Sequence, residues 1–167
     1  MNPLKAPGPD GMPGLFFRHY WGFMGSQLVE AVQSFFREGW MLKELYQTYI
    51  TLIPKVQGAC NFAQFRPISL CNFSYKVITK ILVARLRPLL HKLIDLAQVA
   101  FIPNRNLMEN VVLAQEVVDC FKHTNWKQWY LGIKLNFQKA YDKMEWAFLA
   151  AVLSDFGFSK QVIKLIH

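Results

Sequence analysis

Cysteine and histidine are scarce in this sequence, and neither is spaced like a set of metal ligands. The three cysteines, Cys60, Cys71 and Cys120, are odd in number and far apart, which argues against a disulfide framework and against a CxxC metal site. The four histidines show no ligand spacing either, so a zinc site is not expected. These absences favour reduced thiols in an intracellular protein.

Long apolar runs are also missing. No basic-then-apolar signal segment opens the chain, and no uninterrupted apolar stretch approaches the roughly 18 residues of a membrane span. There is no internal repeat, low-complexity tract or linker, so we expect one domain, or part of one, over residues 1–167. Hydrophobic residues make up 53% of the chain, enough for a core of its own. We therefore expect a soluble intracellular protein, with nucleus and cytoplasm both open.

Acidic residues are absent from a long segment in the middle of the chain. Residues 45–94, the acid-free segment, contain no Asp or Glu, and the whole chain has a net charge of +8. A merely solvated surface usually mixes both signs of charge, whereas a row of cations suits phosphates because each neutralised phosphate releases condensed counterions. The segment therefore predicts binding to nucleic acid or nucleotide phosphate, with a plain solvated face as the alternative. Its cations are Lys55, Arg66, Lys76, Lys80, Arg85, Arg87 and Lys92.

Hydrophobic periodicity predicts a helix-rich chain with short strands. Turn residues crowd residues 5–14, which excludes regular structure there. Helical spacing predicts helices near residues 28–36 with a stop at Gly39, near 75–89, near 107–121, near 148–156, and from Ser159 onward. Strand-like runs cover residues 48–54 and 65–70.

Three features of these predicted helices bear on function. Lys76, Lys80 and Arg87 fall on roughly one helix face, as a phosphate-binding stripe would require. Pro88 should bend or restart the same helix. The apolar stripe of residues 107–121 is expected to face the core rather than form a binding groove.

A candidate site follows in residues 129–146. A β-branched and aromatic run ends near Asn136 and leads through a polar turn into a helix, which predicts a buried strand with a polar end. Asp142, three residues before Glu145, could form a capping pair with it. Polar groups at a strand end are held rigidly yet open to solvent, as ligand sites require. An ordinary strand-to-helix connection is the alternative.

Taken in order, these segments resemble the reverse transcriptase domain of non-LTR (LINE-type) retrotransposons, of a plant-like kind. Residues 5–11 read KAPGPDG, like the opening segment of that family, and residues 52–55 with 65–70 read LIPK and FRPISL, like its fingers motif. Gln98, Phe101 and Arg105 are similar to the next motif. The central stretch then resembles motif A of the palm. The resemblance extends from Lys5 to about Gly157 in the right order and spacing.

The resemblance implies an α+β fold, the fingers and a partial, incomplete antiparallel palm sheet of a right-hand polymerase. Residues 1 to about 125 would form the fingers and early palm, and residues from about 126 to 167 the motif A strand and its following helix. The implied activity is RNA-directed DNA polymerisation, with an RNA template, a DNA primer and deoxynucleoside triphosphates as partners. Two Mg²⁺ ions would stabilise the attacking and leaving oxygens.

The resemblance also assigns roles to single residues. Motif A of the family has a metal-binding Asp where this chain has Asn136, which keeps a carbonyl oxygen but no charge, so the metal site is degenerate. Asp142 is no replacement for it, because it lies beyond the turn. Tyr141 matches an aromatic steric gate against ribose, with a core tyrosine as the alternative. Lys55 and Arg66 match fingers contacts to the incoming triphosphate.

The next motif leaves one role open. Arg105 would either contact the template strand or brace the fingers. Asn104 stands where the family usually has glycine, and asparagine tolerates left-handed backbone angles better than most residues.

Two departures from the family's pattern argue against catalytic activity of the chain itself. Besides Asn136, the YxDD turn that supplies the family's other catalytic carboxylates is expected beyond residue 167. We therefore expect a catalytically inactive fragment, with two alternatives: a non-catalytic RNA- or DNA-binding remnant that uses the basic fingers, and a decayed reading frame without a role. An unpaired palm edge and an exposed apolar face would also favour self-association.

Overall fold

The computed structural model describes residues 2–123, 131–135 and 143–166, and these contain seven α-helices, one 3-10 helix (Phe62–Gln64) and one pair of strands. The helices are α1 (Gly14–His19), α2 (Trp21–Glu38), α3 (Lys43–Tyr46), α4 (Phe73–Leu93), α5 (Leu107–Lys122), α6 (Trp146–Asp155) and α7 (Lys160–Ile166), and the strands are β1 (Thr48–Pro54) and β2 (Phe65–Cys71). The expected helix-rich α+β fold is confirmed. None of the helices within these ranges is long and apolar enough to cross a membrane.

Contacts divide the chain into two units. The first unit comprises residues 1–83 and 160–166, and the second comprises residues 84–159 with 167. The core of the first unit joins α2 to α1 and to the first half of α4, where Phe17, Leu28, Val32 and Ile78 are buried. Gly39 ends α2 in the left-handed conformation, with φ 70°. The helix and the stop predicted for this segment are both confirmed.

β1 and β2 form an antiparallel hairpin over the two ranges predicted from the sequence. The register ends with Pro54 opposite Phe65, a position where the missing N–H of proline costs little because the strand stops there. The N–H of Lys55 then donates to the Gln64 carbonyl at 2.8 Å and closes the connecting loop. Both predicted strands are therefore confirmed, and the second extends one residue further, to Cys71.

α4 runs without interruption from Phe73 to Leu93, with Pro88 inside it. The predicted restart at this proline is therefore absent. Proline has no N–H to donate to the carbonyl four residues earlier, so the helix lacks one backbone hydrogen bond at this point. The helical pattern on both sides of Pro88 outweighs that local loss.

The apolar stripe of α5 is exposed, which makes the prediction of a core-facing stripe wrong. No residue of α5 is buried, and Leu107 is 64% exposed. A helix buries an apolar stripe only where another apolar surface covers it. Phe121 lies close to Gly132, since a Cβ there would be 3.3 Å from its ring, whereas Leu107, Val111 and Val118 stay between 40% and 64% exposed. The exposed α5 face consists of Leu107, Val111, Val118 and Phe121.

The buried strand predicted in the central stretch is also wrong where the structure describes it. Residues 131–135 have no regular secondary structure, and their three apolar side chains are between 72% and 83% exposed. A strand is stable only when its backbone groups pair with a neighbour, and none of the described strands pairs with this segment. A sequence that favours a β-strand therefore does not form one here without a strand to pair with.

The capping pair predicted for the next helix needs correction as well. α6 begins at Trp146, with Glu145 at the N-cap position and no side-chain hydrogen bond there. Glu145 therefore precedes the helix, whereas the predicted pair required it inside the first turn. Asp142 lies outside the described residues. The start predicted for the last helix at Ser159 agrees with α7, which begins at Lys160.

Candidate nucleic-acid interface

The turn-rich segment that reads KAPGPDG is docked onto the first turn of α4 through Asn72. The Asn72 side chain is buried, at 2% exposure. Its Oδ1 accepts a hydrogen bond from the Asp10 N–H at 3.2 Å, and its Nδ2 donates to the Glu44 carbonyl at 2.8 Å. A Cβ on Gly8 would overlap the backbone and side chain of Asn72. Glycine at position 8 therefore lets the segment lie directly against the start of the basic helix.

Lys76 ties the same segment to α4. Its Nζ donates to the Ala6 carbonyl at 2.9 Å, and the residue is half-buried. An ammonium group has three N–H donors, so this bond leaves two of them for a phosphate. The predicted nucleic-acid contact at Lys76 thus coincides with a structural role that the sequence did not reveal.

Lys80 and Arg87 are the more available cations of α4. Both are exposed, and neither has a hydrogen-bond or ion-pair partner among the described residues. The absence of acids in the acid-free segment agrees with this, because the segment itself supplies no carboxylate to pair with them. Ion pairs occur instead outside that segment, between Arg37 and Glu38 and between Lys122 and Asp119.

The hairpin places Lys55 and Arg66 close to its loop. Arg66 lies opposite Ile53 in the register, and Lys55 follows β1 directly. The Lys55 Nζ donates to the Ala63 carbonyl at 3.0 Å, which fixes the ammonium group at the base of the loop. Both residues are exposed, so their remaining donors are accessible to an anion. Their contact with a triphosphate stays a prediction.

A capping box keeps this loop in shape. The Gln64 side chain accepts from the Cys60 N–H at 2.8 Å and from the Asn61 N–H at 3.0 Å. In return, the Asn61 side chain accepts from the Ala63 N–H at 3.2 Å. Such reciprocal bonds satisfy backbone donors that a short 3-10 turn leaves free. Gln64 and Asn61 therefore support the loop in which Lys55 is anchored, and sequence reasoning missed both.

In the second unit, the Arg105 side chain donates hydrogen bonds to backbone carbonyls of the preceding segment. Its guanidinium donates to the carbonyls of Ile94, at 2.9 Å, and of Asp95 and Gln98. These bonds hold the segment between α4 and α5, in which Asn104 has a φ of 59°. The left-handed conformation allowed for Asn104 is thus confirmed. Of the two roles left open for Arg105, the brace is the one that these contacts support.

The metal and sugar positions of the resemblance fall on residues that the structure does not describe. Asn136, Tyr141 and Asp142 all lie outside the described ranges. Within those ranges, no group of three or more His, Cys, Asp or Glu residues could hold a metal ion. The described part of the chain therefore presents cations for phosphates, but no carboxylate cluster.

The sequence that carries these cations and motifs matches a known protein family. A family model described as reverse transcriptase (RNA-dependent DNA polymerase) matches residues 53–167, more than half of the chain. The chain therefore belongs to the reverse transcriptase family. Proteins of this family generally use divalent metal ions and bind a nucleic-acid template and deoxynucleoside triphosphates.

Two proteins of mobile elements are similar to most of the chain. It is 26% identical over 159 residues to the transposon TX1 uncharacterized 149 kDa protein of Xenopus laevis, across 95% of this chain and 12% of that protein. It is also 26% identical over 151 residues to the retrovirus-related Pol polyprotein from type-1 retrotransposable element R1 of Bradysia coprophila, across 85% of this chain and 14% of that protein. The chain thus spans a small part of each relative. The assignment to a non-LTR retrotransposon reverse transcriptase domain is confirmed, and the plant-like kind stays a prediction.

Proposed function

We propose that this reverse transcriptase domain binds an RNA template and a DNA primer through its acid-free segment, and that the 167-residue chain does not polymerise DNA by itself. The observation that carries the proposal is the pair of exposed cations Lys80 and Arg87, which have no partner among the described residues and lie in a segment without acids. Lys76 joins them with the donors that the Ala6 carbonyl leaves free. Phosphate contacts of this kind give affinity without sequence preference.

Nucleotide binding is assigned to the hairpin. Lys55 and Arg66 offer an ammonium and a guanidinium group to a triphosphate, and a guanidinium can bind phosphate with two parallel hydrogen bonds. The anchoring of the Lys55 Nζ on the Ala63 carbonyl supports this role, because it limits the positions of the charge. Tyr141 is proposed as the steric gate that favours deoxynucleotides.

Inactivity follows from the chemistry of the ligands at the motif A position. The family uses divalent metal ions, and Mg²⁺ prefers charged oxygen ligands. Asn136 offers a neutral amide where the resemblance calls for a carboxylate. The residues of this chain therefore do not fit two Mg²⁺ ions, and no reaction step is assigned to them.

A primer-extension assay tests both parts of the proposal. The chain is mixed with an RNA template annealed to a labelled DNA primer, Mg²⁺ and deoxynucleoside triphosphates, and both bound primer and extended primer are measured. We expect binding at low salt without extension. Template-dependent extension would overturn the inactivity, and absence of binding at low salt would overturn the interface and leave only the decayed reading frame.

The sequence predicts self-association through an unpaired palm edge and an exposed apolar face. The described residues 131–135 form no strand and so no palm edge, and the exposed α5 face is the contact that we propose instead. Its apolar side chains form a contiguous stripe one helix long, and exposed patches of this kind commonly bind another protein surface. A second copy of the same chain is the occupant available in a pure sample.

A further inference from the structure

An aromatic pocket lies in the first unit, and none of its lining residues belongs to the hairpin of β1 and β2 or to its loop. Its volume is about 230 Å³, and its lining is Pro3, Gly14, Phe17, Arg18, Trp21 and Phe73. This is smaller than the pockets of roughly 300 Å³ and more that hold drug-sized ligands. A single planar ring system fits such a volume better than a whole nucleotide or a folded peptide.

The floor of the pocket is rigid. Phe17 is 7% exposed and stacks on Phe73, with ring centroids 4.4 Å apart and an interplanar angle of 15°. Pro3 is held beside them because its carbonyl accepts the Leu15 N–H at 3.0 Å. Gly14 permits this close packing, since a Cβ there would lie 3.1 Å from the Phe73 ring and 3.3 Å from the Pro3 Cα. The pocket is thus formed before any ligand binds.

Trp21 supplies an aromatic surface that is already oriented. Its indole ring lies against Gly25 one helical turn later, so closely that a Cβ on Gly25 would be 2.8 Å from the ring. The residue is nevertheless 53% exposed. A ring that is held by its own helix and still open to solvent can stack on a planar ligand at a small cost in side-chain entropy.

Arg18 adds a positive charge at the pocket. It is exposed, and it has no hydrogen-bond or ion-pair partner within the described part of the chain. A free guanidinium beside an open aromatic ring suits a ligand that combines a flat ring with an anionic group. A nucleotide of a single strand is such a ligand, and the net charge of +8 favours approach of a polyanion.

We propose that this pocket binds one base of a single-stranded nucleic acid, with the base stacked on Trp21 and an adjoining phosphate bound by Arg18. Aromatic platforms paired with cations are a general way to bind single strands without sequence preference. The inference rests on the proposed nucleic-acid binding and adds to it a site whose affinity depends on the bases of the strand. Phosphate contacts in the acid-free segment do not depend on bases.

The test compares two DNA strands of equal length, a thymidine oligonucleotide and a strand with abasic sites throughout. Affinities are measured by fluorescence anisotropy for the unchanged chain and for Trp21→Ala, Arg18→Gln and two controls. Trp40→Ala is the control for Trp21→Ala, because Trp40 is another exposed tryptophan of the first unit. Arg37→Gln is the control for Arg18→Gln, because Arg37 already pairs with Glu38.

We expect Trp21→Ala to weaken thymidine binding about fivefold or more and to leave abasic binding unchanged. Arg18→Gln should weaken binding of both strands, and the controls should change neither by more than about twofold. Equal effects of Trp21→Ala and Trp40→Ala on thymidine binding, or an equal loss for Trp21→Ala on both strands, would overturn the pocket while leaving the interface of the acid-free segment intact. Absence of binding to either strand would overturn both proposals. Circular dichroism of each variant shows whether a loss reflects unfolding.

Discussion

Single residues connect the KAPGPDG segment to the basic helix. Gly8 and Asn72 are far apart in the sequence, yet Gly8 packs on Asn72, and Asn72 bonds to the backbone of Asp10 and Glu44. A buried amide that satisfies two backbone groups is costly to remove, because each group would lose its partner. These contacts position Lys76, whose own bond to the Ala6 carbonyl completes the junction.

The change Gly8→Ala tests this junction. The added Cβ would overlap Asn72, so we expect a loss of about 1–3 kcal/mol in the free energy of unfolding, measured by urea denaturation. Gly22→Ala is the control, since a Cβ at Gly22 in α2 meets no atom within 4 Å. It should stabilise the chain slightly, because alanine favours a helix over glycine. A similar midpoint for both variants would contradict the close packing at Gly8.

Arg105 provides a second test at this scale, and it separates the two roles left open by the sequence. Because its guanidinium donates to three carbonyls, we expect Arg105→Ala to lower the free energy of unfolding by about 1–3 kcal/mol. Arg87→Ala, at an exposed cation without a partner among the described residues, should change it by less than about 0.5 kcal/mol. For RNA affinity we expect the opposite order, with a larger loss for Arg87→Ala than for Arg105→Ala. A loss of RNA affinity with unchanged stability in Arg105→Ala would indicate a template contact instead.

At the scale of whole elements, local sequence signals predicted the strands and most helices. The strand-like run before Pro54 and the proline itself marked β1 and its end, and Gly39 marked the end of α2. Predictions failed where the outcome depends on a neighbour. The apolar residues of α5 and of residues 131–135 have the right local patterns, but none of them is buried among the described residues.

For the candidate interface too, local sequence features were predictable, whereas contacts between residues far apart in the sequence were not. The missing acids predicted which cations would be available, and Lys80 and Arg87 are indeed exposed and unpaired among the described residues. The carbonyl partners of Lys76 and Arg105 were not predictable, because backbone acceptors leave no signature in side-chain chemistry. The pocket around Trp21 was likewise missed, since it joins residues from three separate segments.

Pro88 offers a prediction for α4 as an element. Because the helix continues through it, replacing Pro88 with alanine restores a backbone donor, and we expect Pro88→Ala to stabilise the chain by about 1–3 kcal/mol. Pro13→Ala is the contrasting variant, because Pro13 lies at the N-cap of α1. There the change should be neutral or slightly destabilising, through the greater freedom of the unfolded chain. Thermal unfolding followed by circular dichroism measures both, and destabilisation by Pro88→Ala would contradict an uninterrupted α4.

For the molecule as a whole, the exposed α5 face should control self-association. Val111 and Val118 are 40% and 51% exposed, and we expect Val111→Lys with Val118→Lys to shift the chain toward monomer without loss of stability. Val29→Lys with Val83→Lys is the matched control, since these valines are 43% and 48% exposed outside that face. Sedimentation velocity over a range of concentrations gives the result. A monomeric unchanged chain would contradict the proposed contact.

The salt dependence of RNA binding tests the central claim most directly. The double variant Lys80→Gln with Arg87→Gln removes two cations of the acid-free segment that have no partner in the described part of the chain. The variant Arg37→Gln with Lys122→Gln removes the same charge from residues that pair with acids. For the first variant we predict a weaker affinity and a shallower plot of log affinity against log salt, by about 0.7 for each phosphate that is no longer neutralised on a single strand. The second variant should keep the slope of the unchanged chain. Equal slopes for the two variants would contradict a nucleic-acid interface in the acid-free segment.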